Sequence, residues 1–229
     1  MVIISDFDGV LCDQREFDYQ SFCAVPHEMN NDTIHKDYLL SLRRKGYTSD
    51  KIFKFGFKYS GAALLKAHSI RKKWLRENIN NFVPNPINGT TDALKKLGSG
   101  IKIIIATKRM KSNIPSIFVK NNHLPISEED IYCVERINSL IPKLNFNEDD
   151  TVINIKKIML QFIIDKLKDF SSQFYYIGDT LDDYLVAKSI GIKFFGVTTG
   201  YVTIKQFSLH NIEAYENIAH VLSKIDIHT

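Results

Sequence analysis

Five short apolar runs, at residues 2–5, 101–106, 131–134, 174–177 and 193–197, each end in small or polar residues, and they limit what this chain can fold into. Apolar runs of this length without alternation are the pattern of strands covered on both faces. Helical patterns lie between most of them, at 91–97, 116–121, 155–167 and 184–190. Strand alternating with helix predicts an α/β fold, a Rossmann-like doubly wound parallel sheet. In such sheets ligands bind beyond the carboxyl ends of the strands, so the residues that follow each run are the ones to inspect.

Residues 14–84 break the rhythm. They hold helix-like stretches near 37–45, 49–58 and 62–79, and in the last of these Ala63, Ala67, Ile70 and Trp74 share one face. Pro84-Asn85-Pro86 closes the segment as a stiff extended connector. This predicts a core built from residues 1–13 and 85–229, with 14–84 inserted as a small helical domain. The insert carries 13 Lys and Arg against 7 Asp and Glu, a surplus of six, whereas the whole chain of 229 residues is only +4. That mild net charge gives no reason to expect a nucleic-acid partner. No apolar run approaches the roughly 18 to 20 residues that a membrane span needs. Met1 leads into Val2-Ile3-Ile4 without a basic stretch, which is not a signal-peptide pattern. Cys12, Cys23 and Cys133 are odd in number and form no C-x-x-C pair, so they read as reduced thiols of a cytoplasmic protein.

The chemistry gathers at the strand ends. The first run is followed by Asp6-Phe7-Asp8-Gly9-Val10, where two carboxylates at i and i+2 around a tight turn can both face the crevice. A plain polar loop with Gly9 serving the turn is the alternative. A calcium-binding loop is excluded, because the twelfth position from Asp6 is Phe17 in place of Glu. The second run ends in Thr107-Lys108-Arg109, a hydroxyl followed by cations, which suits an anionic oxygen and equally a helix cap. The fourth ends in Gly178-Asp179-Thr180-Leu181-Asp182-Asp183. Three carboxylates within five residues repel one another unless a cation sits among them, and a hard divalent ion suits oxygen ligands. An acidic helix start is the competing reading. Lys156 or Lys157, in the helical stretch just before, could neutralise this cluster. In the insert, His68, Lys72 and Arg76 recur every four residues as a basic stripe, either a solvated face or a groove for an anionic group.

Taken in order, these segments resemble the haloacid dehalogenase-like hydrolases, most of them Mg²⁺-dependent phosphatases. Asp6-Phe7-Asp8-Gly9-Val10-Leu11 looks like the family's first motif and Ile103-Ile104-Ile105-Ala106-Thr107 like its second. Ile177-Gly178-Asp179-Thr180-Leu181-Asp182-Asp183 looks like the fourth, and the helix through Ala187 to Gly191 continues its usual pattern. The likeness covers 1–13 and 85–229, and residues 14–84 fall where phosphoglycolate-phosphatase-like members place a helical cap. It implies that Asp6 is the nucleophile, forming an aspartyl-phosphate, and that Asp8 is acid and then base. It implies Mg²⁺ held by Asp6, the Asp8 carbonyl and Asp179, with Asp183 binding the metal or its waters. Thr107 and a lysine would cradle the phosphoryl oxygens. Lys156 lies 23 residues before Asp179, the family's usual distance, with Lys157 its rival. Gly9, Lys108 and the stripe of His68, Lys72 and Arg76 would face the substrate, a small phosphorylated metabolite. Asp8, two residues after the nucleophile, favours phosphate esters over dehalogenation. A phosphomutase or a non-catalytic binding protein on the same scaffold are the alternatives.

Overall fold

Val2, Ile3 and Ile4 have no exposed surface, and the sheet is built around them. The computed structural model describes residues 1–141, 143–146 and 151–226. Its strands are β1 (Val2–Ser5), β2 (Cys12–Asp13), β3 (Asn85–Pro86), β4 (Lys102–Ala106), β5 (Ile131–Tyr132), β6 (Phe174–Gly178), β7 (Lys193–Val197) and β8 (Ala214–Tyr215). Its α-helices are α1 (Arg15–Met29), α2 (Lys36–Arg44), α3 (Ser49–Lys51), α4 (Gly61–Asn78), α5 (Thr90–Lys95), α6 (Asn113–Asn121), α7 (Val134–Leu140), α8 (Val152–Leu167), α9 (Leu181–Ile190), α10 (Ile204–Ser208) and α11 (Ile218–Asp226). Six strands form one parallel sheet in the order β5-β4-β1-β6-β7-β8, the doubly wound α/β arrangement.

The chain winds outward from β1 through β4 to β5, then crosses back to β6 and winds the other way. This reversal opens a crevice beyond the carboxyl end of β1. Ser5 pairs with Ile105 on one side and Ile177 on the other. Asp6, Thr107 and Asp179 therefore leave the sheet at the same edge, one or two residues past those pairs. On one face α8 lays Ile155, Met159, Leu160 and Ile163 into the cluster that holds Val2, Ile4, Ile104 and Tyr176. The spacing of these four follows the helical period, so one stripe is buried. Thr151 caps that helix, accepting from the Asn154 amide at 3.3 Å.

The described residues divide into two compact units, Met1–Asp13 with Pro84–Thr229, and Gln14–Val83. The two ends of the first unit that flank the insertion are tied by the antiparallel ribbon β2–β3, Cys12 opposite Pro86 and Asp13 opposite Asn85. The second unit has its own core, including Phe22, Leu39, Phe53 and Ile70. Asp18 there accepts from Arg43 and Arg71 at 2.9 and 2.8 Å, and both guanidinium groups lie over the Phe22 ring.

Several elements differ from the sequence reading. The run 131–134 pairs only through Ile131 and Tyr132, because β4 ends at Ala106 and offers Cys133 no strand partner; Val134 already begins α7. The 49–58 helix is a three-residue turn that widens into a π turn over Ile52–Gly56. Helix α1 carries no clear sign in the sequence, since Pro26 stands in its last turn; Asn30, at φ 54°, ends it by donating its amide to the Pro26 carbonyl. The unit boundary falls after Val83, one residue before the predicted position. Among the described residues no helix is long and apolar enough to cross a membrane.

Because Ile163 is fully buried in the α8 stripe, Ile163→Ala should cost about 2 to 5 kcal/mol of stability through lost burial and an unfilled cavity. Urea unfolding would show a lower midpoint with unchanged slope. A shift below about 1 kcal/mol would mean the helix is not packed as described.

Candidate active site

Asp6 is the first residue past β1, and its amide still donates to the Ile177 carbonyl at 2.9 Å. Its Oδ1 accepts from the Phe7 amide at 2.7 Å, and its Oδ2 receives Lys156 Nζ at 2.5 Å. The same ammonium reaches Asp183 Oδ1 at 2.6 Å. Asp6, Lys156 and Asp183 are 6, 4 and 0 % exposed, so this is a buried network of one cation between two carboxylates. Helix geometry selects the lysine. Lys156 follows buried Ile155 and stands three residues before buried Met159, on the flank of the buried stripe, while Lys157 is turned a further 100° and is exposed.

Asp183 is fixed by the start of α9. Thr180 is the N-cap, accepting from the Asp183 amide at 3.1 Å, and the Asp183 Oδ2 accepts in return from Thr180 Oγ1 and the Thr180 amide at 2.6 and 3.2 Å. Its Oδ1 takes Lys156 and also the Tyr176 hydroxyl, at 2.7 Å. Gly178 makes the approach possible, since a Cβ there would lie 2.5 Å from Asp183 Cβ.

Asp179, 5 % exposed, is seated against two glycines. A Cβ on Gly9, whose φ is +79°, would lie 2.3 Å from Asp179 Oδ2, and one on Gly200 would lie 1.8 Å from it. Gly200 follows β7 and was not singled out in the sequence; the third glycine-bearing strand end was the available signal. Among the described residues, no side chain hydrogen-bonds to Asp179.

Asp8 faces another way. Arg109 grips its carboxylate bidentately, Nε to Oδ2 at 2.9 Å and Nη2 to Oδ1 at 2.6 Å. The Arg109 amide donates to Thr107 Oγ1 at 3.2 Å, and Thr107 is buried. Lys108 is half-buried. His68, Lys72 and Arg76 belong to the Gln14–Val83 unit, where His68 pairs with Asp50 at 3.2 Å and meets the Phe53 ring edge-on.

The electrostatics follow from burying three carboxylates with one ammonium. Burial pushes the Asp6 carboxyl up to about 7, Lys156 opposing and Asp183 adding to the rise. Burial, with the charges of Asp183 and Asp6, holds Asp179 well above the usual carboxylate range. Burial would raise Asp183 too, but Lys156 and the hydrogen bonds from Lys156, Thr180 and Tyr176 outweigh it and leave it below the usual value. Burial would lower the Lys156 ammonium, yet Asp183 and Asp6 keep it well above the ordinary lysine range. The donor set is thus short of positive charge. Asp6, Asp179 and Asp183 each offer an oxygen within 4.8 Å of the others, an arrangement that fits a hard divalent cation. Asp183 already accepts four hydrogen bonds, two on each oxygen, which fills its acceptor positions. Asp183 thus meets Lys156 directly, and it stands with Asp6 and Asp179 in the set whose oxygens lie close enough together to share an ion.

The family profile of the haloacid dehalogenase-like hydrolases matches residues 3–197. No curated protein matches the chain in sequence. Among solved structures, a Clostridium difficile protein assigned as a phosphatase is similar at 21% identity and a TM-score of 0.73, over 96% of this chain and 97% of that one. A haloacid dehalogenase-like family hydrolase from Streptococcus pneumoniae is similar at 18% identity and a TM-score of 0.70, over 98% and 97%. A Haemophilus somnus protein assigned as a phosphoglycolate phosphatase is similar at 13% identity and a TM-score of 0.66, over 98% and 97%. At these identities the likeness speaks for the fold.

Two predictions arise from the charge deficit. Raised carboxyls favour the folded state below their unfolded values near 3.8, and that contribution erodes as pH climbs toward the folded value of about 7 for Asp6. An ion bound to these carboxylates would have to displace those protons, so the rise in Tm on adding Mg²⁺ should be small at pH 5.5 and grow through pH 8. At a hundredfold excess over its Kd the stabilisation should be about 2.7 kcal/mol; an equal shift at both pH values, or none, would refute the site. Gly200→Ala should abolish that Mg²⁺-induced shift by displacing Asp179, and a variant that kept the full shift would show Asp179 is not needed.

Proposed function

The chain belongs to the haloacid dehalogenase-like hydrolases, and on that footing we propose that it is a phosphatase hydrolysing a small phosphate monoester through a covalent intermediate on Asp6, with Mg²⁺ as cofactor. One observation carries the reading: a buried carboxylate at the end of the central strand, held against a buried ammonium. The assignment of similar structures as phosphatases and the presence of Asp8 support the same chemistry.

Asp6 attacks phosphorus, which divides one difficult displacement into two easier ones. The Phe7 amide and Lys156 fix the two oxygens of its carboxylate, so the nucleophile is oriented before substrate arrives. Lys156 has three N–H donors and spends two on Asp6 and Asp183, which leaves one for a phosphoryl oxygen. The Thr107 hydroxyl accepts from the Arg109 amide and is free to donate its own proton to another. Asp8 protonates the leaving oxygen and later deprotonates the attacking water. For the first of these steps the Arg109 clamp on Asp8 opens, its guanidinium passing to the incoming anion, and the released Asp8 carboxylate takes up from solvent the proton it then delivers. Bound Mg²⁺, held by Asp6, Asp179 and the Asp8 carbonyl, would shield Asp6 from the charge of the phosphate.

The Gln14–Val83 unit acts in this reading as the cap that selects the substrate. Its surplus of six positive charges and the stripe of His68, Lys72 and Arg76 favour an anionic metabolite, with Lys108 and the Gly9 turn on the substrate side.

A panel of phosphorylated metabolites with free-phosphate readout tests the proposal: Mg²⁺-dependent release is expected, whereas transfer to a sugar without release would make the protein a phosphomutase. Asp6→Asn should leave less than about a thousandth of the activity. Lys156→Ala should reduce turnover at least ~100-fold, with Lys157→Ala nearly silent. The reverse order for the two lysines would overturn the assignment.

A further inference from the structure

Tyr176 places a buried hydroxyl in the middle of a central strand. Its side chain is fully buried, it pairs with Ile4 and Phe194, and its ring meets that of Phe194 edge-on at 5.9 Å. Packing alone is served equally by phenylalanine, and a buried hydroxyl must find a partner to offset its desolvation. Tyr176 finds Asp183 Oδ1 at 2.7 Å, the same oxygen that receives Lys156 at 2.6 Å. The strand period explains the encounter. Tyr176 and Gly178 point to one face, Gly178 leaves the space that Asp183 enters, and Tyr176 reaches the carboxylate from two residues back.

We propose that Tyr176 is a positioning residue: through Asp183 it fixes where the Lys156 ammonium stands, and hence how that ammonium faces Asp6 and the transferring phosphoryl group. The proposal deepens the phosphatase reading and rests on it for its kinetic consequence. Each oxygen of Asp183 is held by two donors, Lys156 and Tyr176 on one, the Thr180 hydroxyl and amide on the other. The carboxylate therefore has no freedom to swing. Without the phenol, Oδ1 keeps a single donor, and the carboxylate can rotate toward the ammonium and draw it away from Asp6. Burial and the Asp183 charge hold the Tyr176 hydroxyl protonated far into the alkaline range, so it remains a donor throughout the range in which an enzyme works.

The test compares Tyr176→Phe with Tyr175→Phe. Tyr175 is the neighbouring phenol on the opposite face of the strand, half-buried against Phe195. Both variants keep the ring, so both should melt close to wild type. With p-nitrophenyl phosphate and saturating Mg²⁺, Tyr176→Phe should lower kcat roughly tenfold at unchanged KM, the size expected for one hydrogen bond to a charged group. Tyr175→Phe should match wild type. In ¹⁵N-lysine-labelled protein the buried Lys156 ammonium should give a slowly exchanging signal that shifts or vanishes in Tyr176→Phe alone. An unchanged ammonium signal would overturn the proposal, and so would an unchanged kcat in an active enzyme, or an equal loss in Tyr175→Phe. Should wild type release no phosphate from any substrate, the phosphatase reading falls, and the ammonium signal by itself decides the positioning role.

Discussion

The buried ammonium of Lys156 is what the rest of the site depends on. A buried lysine is costly unless carboxylates surround it, and a buried carboxylate is costly unless a cation or donors surround it. Here each requirement answers the other, and three separate parts of the chain converge to meet them. The central strand delivers Asp6, the buried flank of α8 delivers Lys156, and the cap of α9 delivers Asp183. The balance is incomplete, because Asp179 is buried beside them with no ammonium of its own. Burial in this company holds the Asp179 carboxyl well above the usual range, so ionising it costs stability, a pattern typical of functional sites.

Room is the second constraint. Three glycines border the acidic cluster, and each is small for the sake of a carboxylate on another residue. Gly178 admits Asp183, while Gly9 and Gly200 close on Asp179 from two sides. The seat of Asp179 is therefore shaped by backbone from the ends of β1 and β7, strands flanking the one that carries it. Arg109 plays a comparable part for Asp8, holding a carboxylate apart from the cluster that would otherwise repel it.

Legibility in the sequence follows from how local each determinant is. The strands β1 and β7 can be read to the residue, because a covered parallel strand is a bare apolar run. Which of Lys156 and Lys157 turns inward follows from the period of Met159, Leu160, Ile163 and Ile164, with Lys156 three and four residues before the first two. The two-residue strands β2 and β8 are invisible, since so short a stretch has no periodicity; β3 is legible as an extended connector but not as a paired strand, and α1 hides behind an internal proline. The task of Asp183 is hidden for a different reason. Its acidic neighbours point to a metal; the Thr180 cap on Oδ2 is local, whereas Lys156 and the strand residue Tyr176 meet on Oδ1 only through the fold. Gly200 and the grip of Arg109 on Asp8 are likewise contacts across long separations, which spacing along the chain does not encode.

The register of β1 also has a consequence for how the chain comes off the ribosome. Val2 pairs with Lys102 and with Phe174, so the strand at the middle of the sheet has both of its partners far downstream. At roughly 5 to 20 residues per second, about 10 to 35 s separate the synthesis of Val2 from that of Phe174. Every core residue of the Gln14–Val83 unit, from Phe22 to Ile70, is made before β4 begins. Until β4 is made Val2, Ile3 and Ile4 are an apolar segment with unpaired backbone on both sides, and until β6 is made one side still lacks its partner, the feature most prone to pair with the wrong strand. The element that organises the finished sheet is the one that waits longest during synthesis, and that wait is where this chain is most exposed to aggregation.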